Sequence, residues 1–428
     1  MSRETSAMFG PDPVAPLDPR GRRLRLGLLA ALLAAALLAR VGYGLYAHGK
    51  GAWRENIDEY APLALHLATE GRYVVNDPDV PSIEREPGFP IVLAFGYALA
   101  GPGFATTLAV LCLFNLGTIV LVWAIAWTNL GRRAAWAAAV LAAFYPYYVY
   151  YSVHPYREAV FGFFCVLCVW LWLRWLRAPT AWGLAWAGLA NGWTCLVSFT
   201  HFPFAVLSAL AAVGLLRQER RWARLALYFA CFAAAYGPWP ARTYIYYREV
   251  ILSTPYAPFN LYVSMLIPPE LKGLPAEGEI AAKDAVLARF DKLRHRHPEE
   301  AYRLMVREGL KQVRERPGVY AKRVLKHFIK LWRLYPYPRE YGHSYRYLKW
   351  VSLLSEGFLI PMGLAGLWLC RANKEMFTLV AIHIFSLTLI HSLSFAVIRH
   401  RLPLMAWMIL FTGCLLGAAA GRLTRAKG

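Results

Sequence analysis

Long apolar segments recur along this sequence and decide what the chain can fold into. At about 20 apolar residues per membrane span, they predict about ten transmembrane helices. Hydrophobic residues make up 58% of the 428 residues and charged residues only 17%, which excludes a disordered chain and argues against an ordinary soluble enzyme. The predicted spans are Leu24–Tyr46, Phe104–Trp127, Ala134–Val153, Ala159–Leu176, Trp182–Phe199, Phe202–Leu216, Leu225–Gly237, Leu348–Leu369, Phe377–Val397 and Leu402–Gly421, with Pro90–Ala100 as a short helix at the interface.

The basic residues predict the orientation of these spans. With both termini in the cytoplasm, every short cytoplasmic connection carries arginine or lysine, as the positive-inside rule requires. The formal net charge is +21, but the basic residues are spread over separate loops. They do not form one continuous basic surface, which argues against a nucleic-acid partner. The residues concerned are Arg132, Arg133, Arg174, Arg177, Arg217, Arg220, Arg221, Arg224, Arg371 and Lys374.

The predicted spans divide the chain into five segments, and the fold class is an all-α polytopic membrane protein. Residues 1–23 form a polar cytoplasmic tail that we expect to be disordered, and residues 24–237 form an N-terminal transmembrane module with a first outer loop at 48–89. Residues 238–347 form a long, largely helical outer loop with an interfacial basic helix. Residues 348–421 contain the C-terminal transmembrane helices, and residues 422–428 form a second cytoplasmic tail.

Two adjacent carboxylates, Asp58 and Glu59, stand at the predicted start of an amphipathic helix just after the first span. Asn56 and Glu59 have the spacing of a capping box, so a purely structural role explains Glu59 better than a chemical role does. A capping box does not use the side chain of Asp58, and Asp58 is therefore the stronger candidate for chemistry. Tyr60 follows directly and is a candidate lining residue.

Arginines recur where the outer loops return to the membrane, beginning with Arg85 in the segment Glu84–Pro90. A guanidinium at this depth matches the oxygens of a lipid phosphate, although it also serves as an interfacial anchor. The recurrence at four re-entry points predicts a phosphate-binding surface on the outer face. Its further members are Arg157, Arg242, Arg399 and Arg401, with Glu86, His154 and Glu158 as candidate lining residues.

A second basic set, between residues 322 and 333, has the spacing of an interfacial helix and contains Lys330 and Arg333. Binding to anionic headgroups and binding to a donor phosphate explain this set equally well.

Glu356 lies two turns inside a predicted span, where an acid is costly, and is expected to line the cavity. His383 and His391 are expected to form hydrogen bonds between packed helices. His295 and His297 lack a third ligand of suitable spacing, so we predict no metal site.

The order of these motifs resembles that of the GT-C superfamily of polytopic glycosyltransferases. The resemblance is strongest to the family 39-like branch that is related to protein O-mannosyltransferases and lipid A aminoarabinose transferases. It covers most of the chain, from about Leu24 to Leu404. The matching motifs are Asp58-Glu59-Tyr60, the Arg85 to Pro90 turn, Glu158, the Pro238 to Arg242 turn, Asn260-Leu261-Tyr262 and the Arg399 to Pro403 turn.

This resemblance implies that a sugar is transferred, with inversion, from a polyprenyl-phosphate donor to an acceptor hydroxyl of a lipid, glycan or protein. It places the reaction at the extracytoplasmic face of the cell inner membrane. Asp58 matches the catalytic base with Glu59 beside it, while Arg85, Arg242 and Arg401 match basic positions of the family. The sequence departs from the pattern at Glu86, where the family usually has proline, and at Thr243, where it usually has asparagine.

Several properties stay open at the level of sequence. No Gly-rich phosphate loop is present and no cofactor is required, but the acid pair could serve either as a base or as ligands of a divalent cation. The expected partners are the donor, membrane lipids and an acceptor of unknown identity. A transporter or flippase for a lipid-linked or anionic substrate is the main alternative, and a non-catalytic scaffold is a third. A transporter or flippase would need charges near the membrane midplane. A scaffold would leave the positions of Asp58 and Arg85 unexplained.

Overall fold

Helices account for all regular structure in the residues that the computed structural model describes, which are 19–53, 58–75, 77–215, 221–255, 258–262, 288, 292–293, 296–335 and 345–425. The first half contains α1 (Pro19–Gly49), α2 (Tyr60–Glu70), α3 (Gly88–Ala100), α4 (Phe104–Asn129), α5 (Arg132–Phe144), α6 (Pro146–Tyr151), α7 (Glu158–Arg177) and α8 (Ala181–Val197). The second half contains α9 (Phe202–Leu215), α10 (Arg221–Tyr236), α11 (Pro238–Tyr247), α12 (Pro298–Glu315), α13 (Pro317–Trp332), α14 (Tyr345–Leu369), α15 (Lys374–Leu393) and α16 (Leu402–Arg425).

Within this described part, six helices are long and apolar enough to cross a membrane, namely α1, α4, α7, α14, α15 and α16. The other four predicted spans also contain helices, but these are shorter. The predicted interfacial helix is present as α3, and it begins two residues earlier than expected, at Gly88. The protein is therefore a multi-pass membrane protein, and the all-α fold class is confirmed.

The predicted span Ala134–Val153 is wrong as one continuous helix. Helix α5 ends at Phe144, and α6 begins at Pro146 with Tyr145 between them in an extended conformation. Proline lacks an amide hydrogen and disfavours a helical conformation at the preceding residue, which explains the break. Arg40 stabilises this end of α5, since its buried guanidinium donates to the carbonyl oxygen of Ala143 at 2.8 Å.

Close helix packing depends on small residues. On α8, an added Cβ at Gly188 or Gly192 would lie 2.5 Å from a carbonyl oxygen of α10. Only glycine fits at that separation, and small residues at such contacts are typical of membrane helices. Helices α5 and α14 pack against α16 in the same manner, and together they form the buried centre of the bundle.

Candidate active site

A polar cavity of about 280 Å³ lies where several helix ends meet, and half of the predicted site residues line it. The turn before α2, the start of α7, the end of α15 and the 3₁₀ helix Ile398–Arg401 all contribute to it. The lining residues are Asp58, Tyr60, Arg85, Glu86, Arg157, Glu158, Thr200, Thr254, Phe259, Asn260, His391, Ser394, Phe395, Arg399 and His400. We call it the Asp58 cavity.

The turn that carries the two acids has an unusual backbone. Asp58 and Glu59 both have positive φ values, of 55° and 61°, in the left-handed region that non-glycine residues rarely adopt. Helix α2 begins at Tyr60, and Glu59 is its N-cap residue without a side-chain capping bond. The expected capping box is therefore wrong, because Glu59 precedes the first turn of the helix; Asn56 lies outside the described residues. Backbone strain of this kind concentrates at functional sites.

Two arginines hold the Asp58 carboxylate. Its Oδ2 lies 3.0 Å from Nη1 of Arg399, and its Oδ1 lies 3.8 Å from Nη2 of Arg85. The Nε of Arg85 also donates to the backbone oxygen of Asp58 at 2.7 Å. The Asp58 side chain is 29% exposed, so the carboxylate is oriented by charge but still open to a ligand.

Glu158 and Tyr156 position Arg399. The Nε of Arg399 lies 3.5 Å from Oε1 of Glu158, and its guanidinium lies 4.8 Å from the centre of the Tyr156 ring. Glu158 is in the first turn of α7, where the helix dipole stabilises an acid. Its Oε2 is buried and has no hydrogen-bond partner among the described residues.

Another ion pair of the cavity joins Arg157 to Glu86, with 2.8 Å between Nη1 of Arg157 and Oε2 of Glu86. The other oxygen of Glu86 accepts from the backbone nitrogen of Phe199 at 3.3 Å, which ties the outer loop to the end of α8. Burial alone would lower the pKa of Arg157, but the acidic groups of Tyr60, Glu86 and Glu158 raise it, so the guanidinium stays charged. Burial also raises the pKa of Tyr60 to about 12, and its hydroxyl stays neutral.

Gly88 explains why the loop can approach α8 so closely. An added Cβ at this position would lie 2.6 Å from backbone atoms of Leu196 and Val197. Glu86, which stands where the related family usually has proline, therefore lies close to the end of α8. There its carboxylate accepts hydrogen bonds from the Arg157 side chain and from the Phe199 backbone nitrogen.

Two histidines of the cavity were not predicted as site residues. The rings of His391 and His400 stack with centroids 4.3 Å apart, and both line the Asp58 cavity. For His391 we expected a helix-packing role, whereas its ring forms part of the cavity wall. The signal available in the sequence was the position of His400 between Arg399 and Arg401.

Arg401 lies outside this cavity, although it is only two residues from Arg399. It is fully buried and forms a salt bridge with Glu356, whose Oε1 also accepts from the Tyr145 hydroxyl at 2.8 Å. Nη1 of Arg401 donates to the carbonyl oxygens of Leu331, at 2.8 Å, and of Arg333. We expected Arg401 in a phosphate pocket and Glu356 on the cavity wall. In the structure, the two residues instead form a buried ion pair with each other, and neither lines the Asp58 cavity.

Arg242 lies at a separate cavity. Its guanidinium donates to the carbonyl oxygens of Ser82, at 2.9 Å, and Tyr73, at 3.3 Å. It therefore supports the backbone of the outer loop. Four further predicted residues also lie outside the Asp58 cavity lining. His154 is buried against Tyr150, and Tyr262 packs near Phe259. Arg333 stacks on Tyr335, and Glu59 occupies the turn before α2.

An apolar groove of about 830 Å³ lies between α13, α14 and α15. Its wall includes Leu325 and Phe328 of the predicted basic helix, which is present as α13. The groove reaches Ser392, and the Asp58 cavity begins at Ser394, so the two spaces lie side by side along one short segment. The Nζ of Lys330 lies 5.4 Å from the ring centre of Phe395, at the boundary between them.

Two groups among the described residues bring three potential metal-ligand atoms within 4.8 Å of one another. One is exposed and consists of His297, Glu299 and Glu300; His295 lies outside the described residues. The other consists of Cys165, His201 and His383 in the buried core. There Trp407 donates to Nδ1 of His383 at 2.7 Å, which is the helix-packing role expected for His383. Neither group includes a residue of the Asp58 cavity.

The comparisons with known proteins agree with this architecture. Residues 79–238 match the family described as dolichyl-phosphate-mannose-protein mannosyltransferase. The archaeal oligosaccharyltransferase AglB of Archaeoglobus fulgidus, in complex with an inhibitory peptide and a dolichol-phosphate, has a TM-score of 0.55 at 14% identity over 96% of this chain and 52% of that chain. The apo form of the Archaeoglobus fulgidus oligosaccharyltransferase gives a TM-score of 0.52 at 15% identity over 90% and 50%.

ArnT of Cupriavidus metallidurans, bound to undecaprenyl phosphate, gives a TM-score of 0.42 at 17% identity over 93% of this chain and 77% of that chain. No curated protein matches the sequence. The chain spans about half the length of the archaeal structures whose fold it shares. The family match and the shared fold confirm the resemblance to the GT-C superfamily.

Proposed function

We propose that this protein transfers a sugar from a polyprenyl-phosphate donor to an acceptor hydroxyl at the extracytoplasmic face of the membrane. The observation that carries the proposal is the Asp58 carboxylate, which two arginines hold at a polar cavity beside an apolar groove. A donor of this class has the same two parts, a charged phosphate and a long apolar chain. The family match and the dolichol-phosphate named with the AglB structure support the same donor class.

In this proposal the donor phosphate binds among Arg85, Arg157 and Arg399, and Lys330 faces it from the groove boundary. Arginine offers a planar pair of donors that matches phosphate oxygens. The polyprenyl chain leaves along the groove between α13 and α15. The groove is lined almost entirely by apolar side chains, so burying isoprene units there is favourable.

The reaction is a single displacement at the anomeric carbon. The acceptor oxygen attacks this carbon and forms the new glycosidic bond, while the bond from the carbon to the phosphate oxygen breaks with its electron pair. Asp58 takes the proton of the acceptor hydroxyl as bonding develops. Because the nucleophile and the leaving group lie on opposite faces of the carbon, the sugar is transferred with inversion.

The formal charges of the cavity favour the transition state over the ground state. Three arginines (Arg85, Arg157 and Arg399) face three carboxylates (Asp58, Glu86 and Glu158), so the empty cavity is close to neutral. When Asp58 accepts the proton, one negative charge is neutralised. The three guanidiniums then act on the leaving phosphate just as it gains its second negative charge. Such stabilisation, stronger in the transition state, is what raises the rate.

The other predicted residues have supporting roles in this proposal. Arg401 and Glu356 fix the 3₁₀ helix that carries Arg399, and Glu59 shapes the turn that carries Asp58. A transporter or flippase remains the alternative function, since it would also need a charged cavity and an apolar groove. Against it, Asp58, Arg85 and Arg157 all lie in predicted outer loops or turns, whereas transport sites lie near the midplane.

Arg399→Ala is expected to weaken donor binding by about 10- to 100-fold, which corresponds to the loss of one charge-assisted hydrogen bond. Binding of a polyprenyl-phosphate sugar to the purified protein in nanodiscs measures the change. Arg307→Ala is the matched control, because Arg307 is an exposed arginine of α12 outside both cavities. Equal donor affinity of Arg399→Ala and Arg307→Ala would contradict the proposed phosphate site.

Ala381→Trp is expected to fill the groove and to remove the preference for long-chain donors. Affinity for a donor with many isoprene units should fall by about tenfold, since several buried CH₂ groups are displaced, while affinity for a two-isoprene donor should not change. Leu38→Trp is the control, because Leu38 is 71% exposed on α1, away from the groove. If donor affinity depended on isoprene number in the same way in the wild type, Ala381→Trp and Leu38→Trp, the polyprenyl chain would bind outside this groove.

A further inference from the structure

A second cavity, of about 580 Å³, shares no lining residue with the Asp58 cavity. The end of α2, residues 71–74 and 78–81, and helix α11 contribute to its walls. Its volume lies within the range of about 300–1,000 Å³ that is typical of small-molecule sites. Neither the family match nor the donor chemistry described above assigns a ligand to this cavity.

Aromatic rings dominate one wall. Tyr73, Trp239 and Tyr246 all line the cavity, and the Arg242 guanidinium lies between 5.2 and 5.5 Å from the centre of each ring. These contacts fix the rings through cation–π attraction. Tyr246 is 60% exposed, so the wall is open to a ligand from solution.

Trp239 adds a hydrogen-bond donor that the described residues leave unused. Its side chain is 3% exposed, and the indole Nε1 is buried without a hydrogen-bond partner in this part of the chain. A buried donor without an acceptor costs free energy, and a ligand oxygen bound to this N–H would offset that cost. Arg72 and Asp79 also line the cavity, so donors and a carboxylate face the same space.

Hydrogen bonds connect this cavity to the Asp58 turn. The Tyr73 hydroxyl donates to the backbone oxygen of Arg85 at 2.9 Å, and Arg242 binds the carbonyl oxygens of Tyr73 and Ser82. Arg85 in turn donates to the backbone oxygen of Asp58. The second cavity is therefore connected to the proposed base through Tyr73 and Arg85.

We infer that the second cavity binds a sugar ring of a glycan acceptor, away from the hydroxyl that is glycosylated. The flat aromatic faces match the apolar C–H face of a sugar ring. Its hydroxyls both donate and accept, so they satisfy the Trp239 N–H and the Asp79 carboxylate together. A purely apolar ligand would leave the Trp239 N–H unpaired and would leave Arg72 and Asp79 without polar partners. The inference rests on the proposed function and adds that the acceptor is a glycan.

Binding of the purified full-length protein in nanodiscs to an array of neutral and acidic oligosaccharides tests this inference. The wild type is expected to bind at least one class of oligosaccharide. Trp239→Phe keeps an aromatic ring but removes the N–H, and should weaken binding about tenfold. Tyr246→Ala removes an exposed ring of the same wall and should weaken binding to a similar extent.

Tyr244→Ala is the matched control, because Tyr244 is 50% exposed on α11 but does not line the cavity. The inference is overturned if the wild type binds no glycan, or if Trp239→Phe and Tyr246→Ala both bind as tightly as Tyr244→Ala. Release of polyprenyl phosphate, measured on the same wild-type preparation, separates two failures. Release without glycan binding rejects the glycan site alone, while glycan binding without release rejects the proposed reaction.

Discussion

Asp58→Asn should bind the donor but lose sugar transfer by about 10²- to 10⁴-fold, the range that a positioned general base contributes. Asparagine has nearly the same shape as aspartate and tolerates a left-handed backbone, so the turn at φ 55° is preserved. It cannot accept the proton of the acceptor hydroxyl, and it no longer neutralises Arg399. The initial rate of transfer and the donor affinity, measured on the same preparation, give the two values.

Asp77→Asn is the matched control for this variant. Asp77 is an exposed acid of the same outer loop, where its carboxylate accepts from the Asp79 amide, and it lies outside the Asp58 cavity. Glu59→Gln gives a second comparison. Because Glu59 does not line the cavity, its loss should reduce transfer much less than the loss of Asp58. Normal transfer by Asp58→Asn would remove the proposed base from the mechanism.

Arg401→Met is expected to have the largest effect on stability, about 3–5 kcal/mol, which is typical of breaking a buried ion pair. Arg401 is 0% and Glu356 1% exposed at the side chain, so the variant leaves a carboxylate in apolar surroundings. That carboxylate must either stay charged there or take up a proton, and both cost free energy. The apparent Tm and the yield of monodisperse protein measure the change.

The double variant Glu356→Gln, Arg401→Met removes both charges and should regain most of the lost stability. Arg371→Met is the control, because Arg371 follows α14 and stacks on the exposed ring of Trp368. A change within about 0.5 kcal/mol is expected there. If Arg401→Met were as stable as Arg371→Met, the ion pair would contribute nothing to holding Arg399 in place.

The sequence predicts the membrane architecture well because apolar length alone determines which segments can form spans. It also predicts which turns carry charge, since Asp58, Arg85, Arg157 and Arg399 each stand where an outer loop meets a helix. These four residues do line one cavity in the structure. The break at Tyr145 could have been predicted from Pro146, whose effect on the preceding residue is local.

The pairing of side chains could not be predicted in the same way. Arg399 and Arg401 differ by two positions in a 3₁₀ helix and therefore point to different partners, one to Asp58 and one to Glu356. Arg242 has the expected residue type and sequence position, yet it lines a different cavity and binds the carbonyl oxygens of Tyr73 and Ser82. Such choices depend on how distant helices pack, which local pattern does not encode.

Release of polyprenyl phosphate in a single turnover tests the central claim most directly. Purified wild-type protein in nanodiscs would be mixed with a panel of polyprenyl-phosphate sugars and an envelope glycan extract as the source of acceptor. We predict that at least one donor releases polyprenyl phosphate while its sugar appears on an acceptor with inverted anomeric configuration. Movement of intact donor lipids across the membrane of proteoliposomes, with no release from any donor, would contradict the account and favour the transporter.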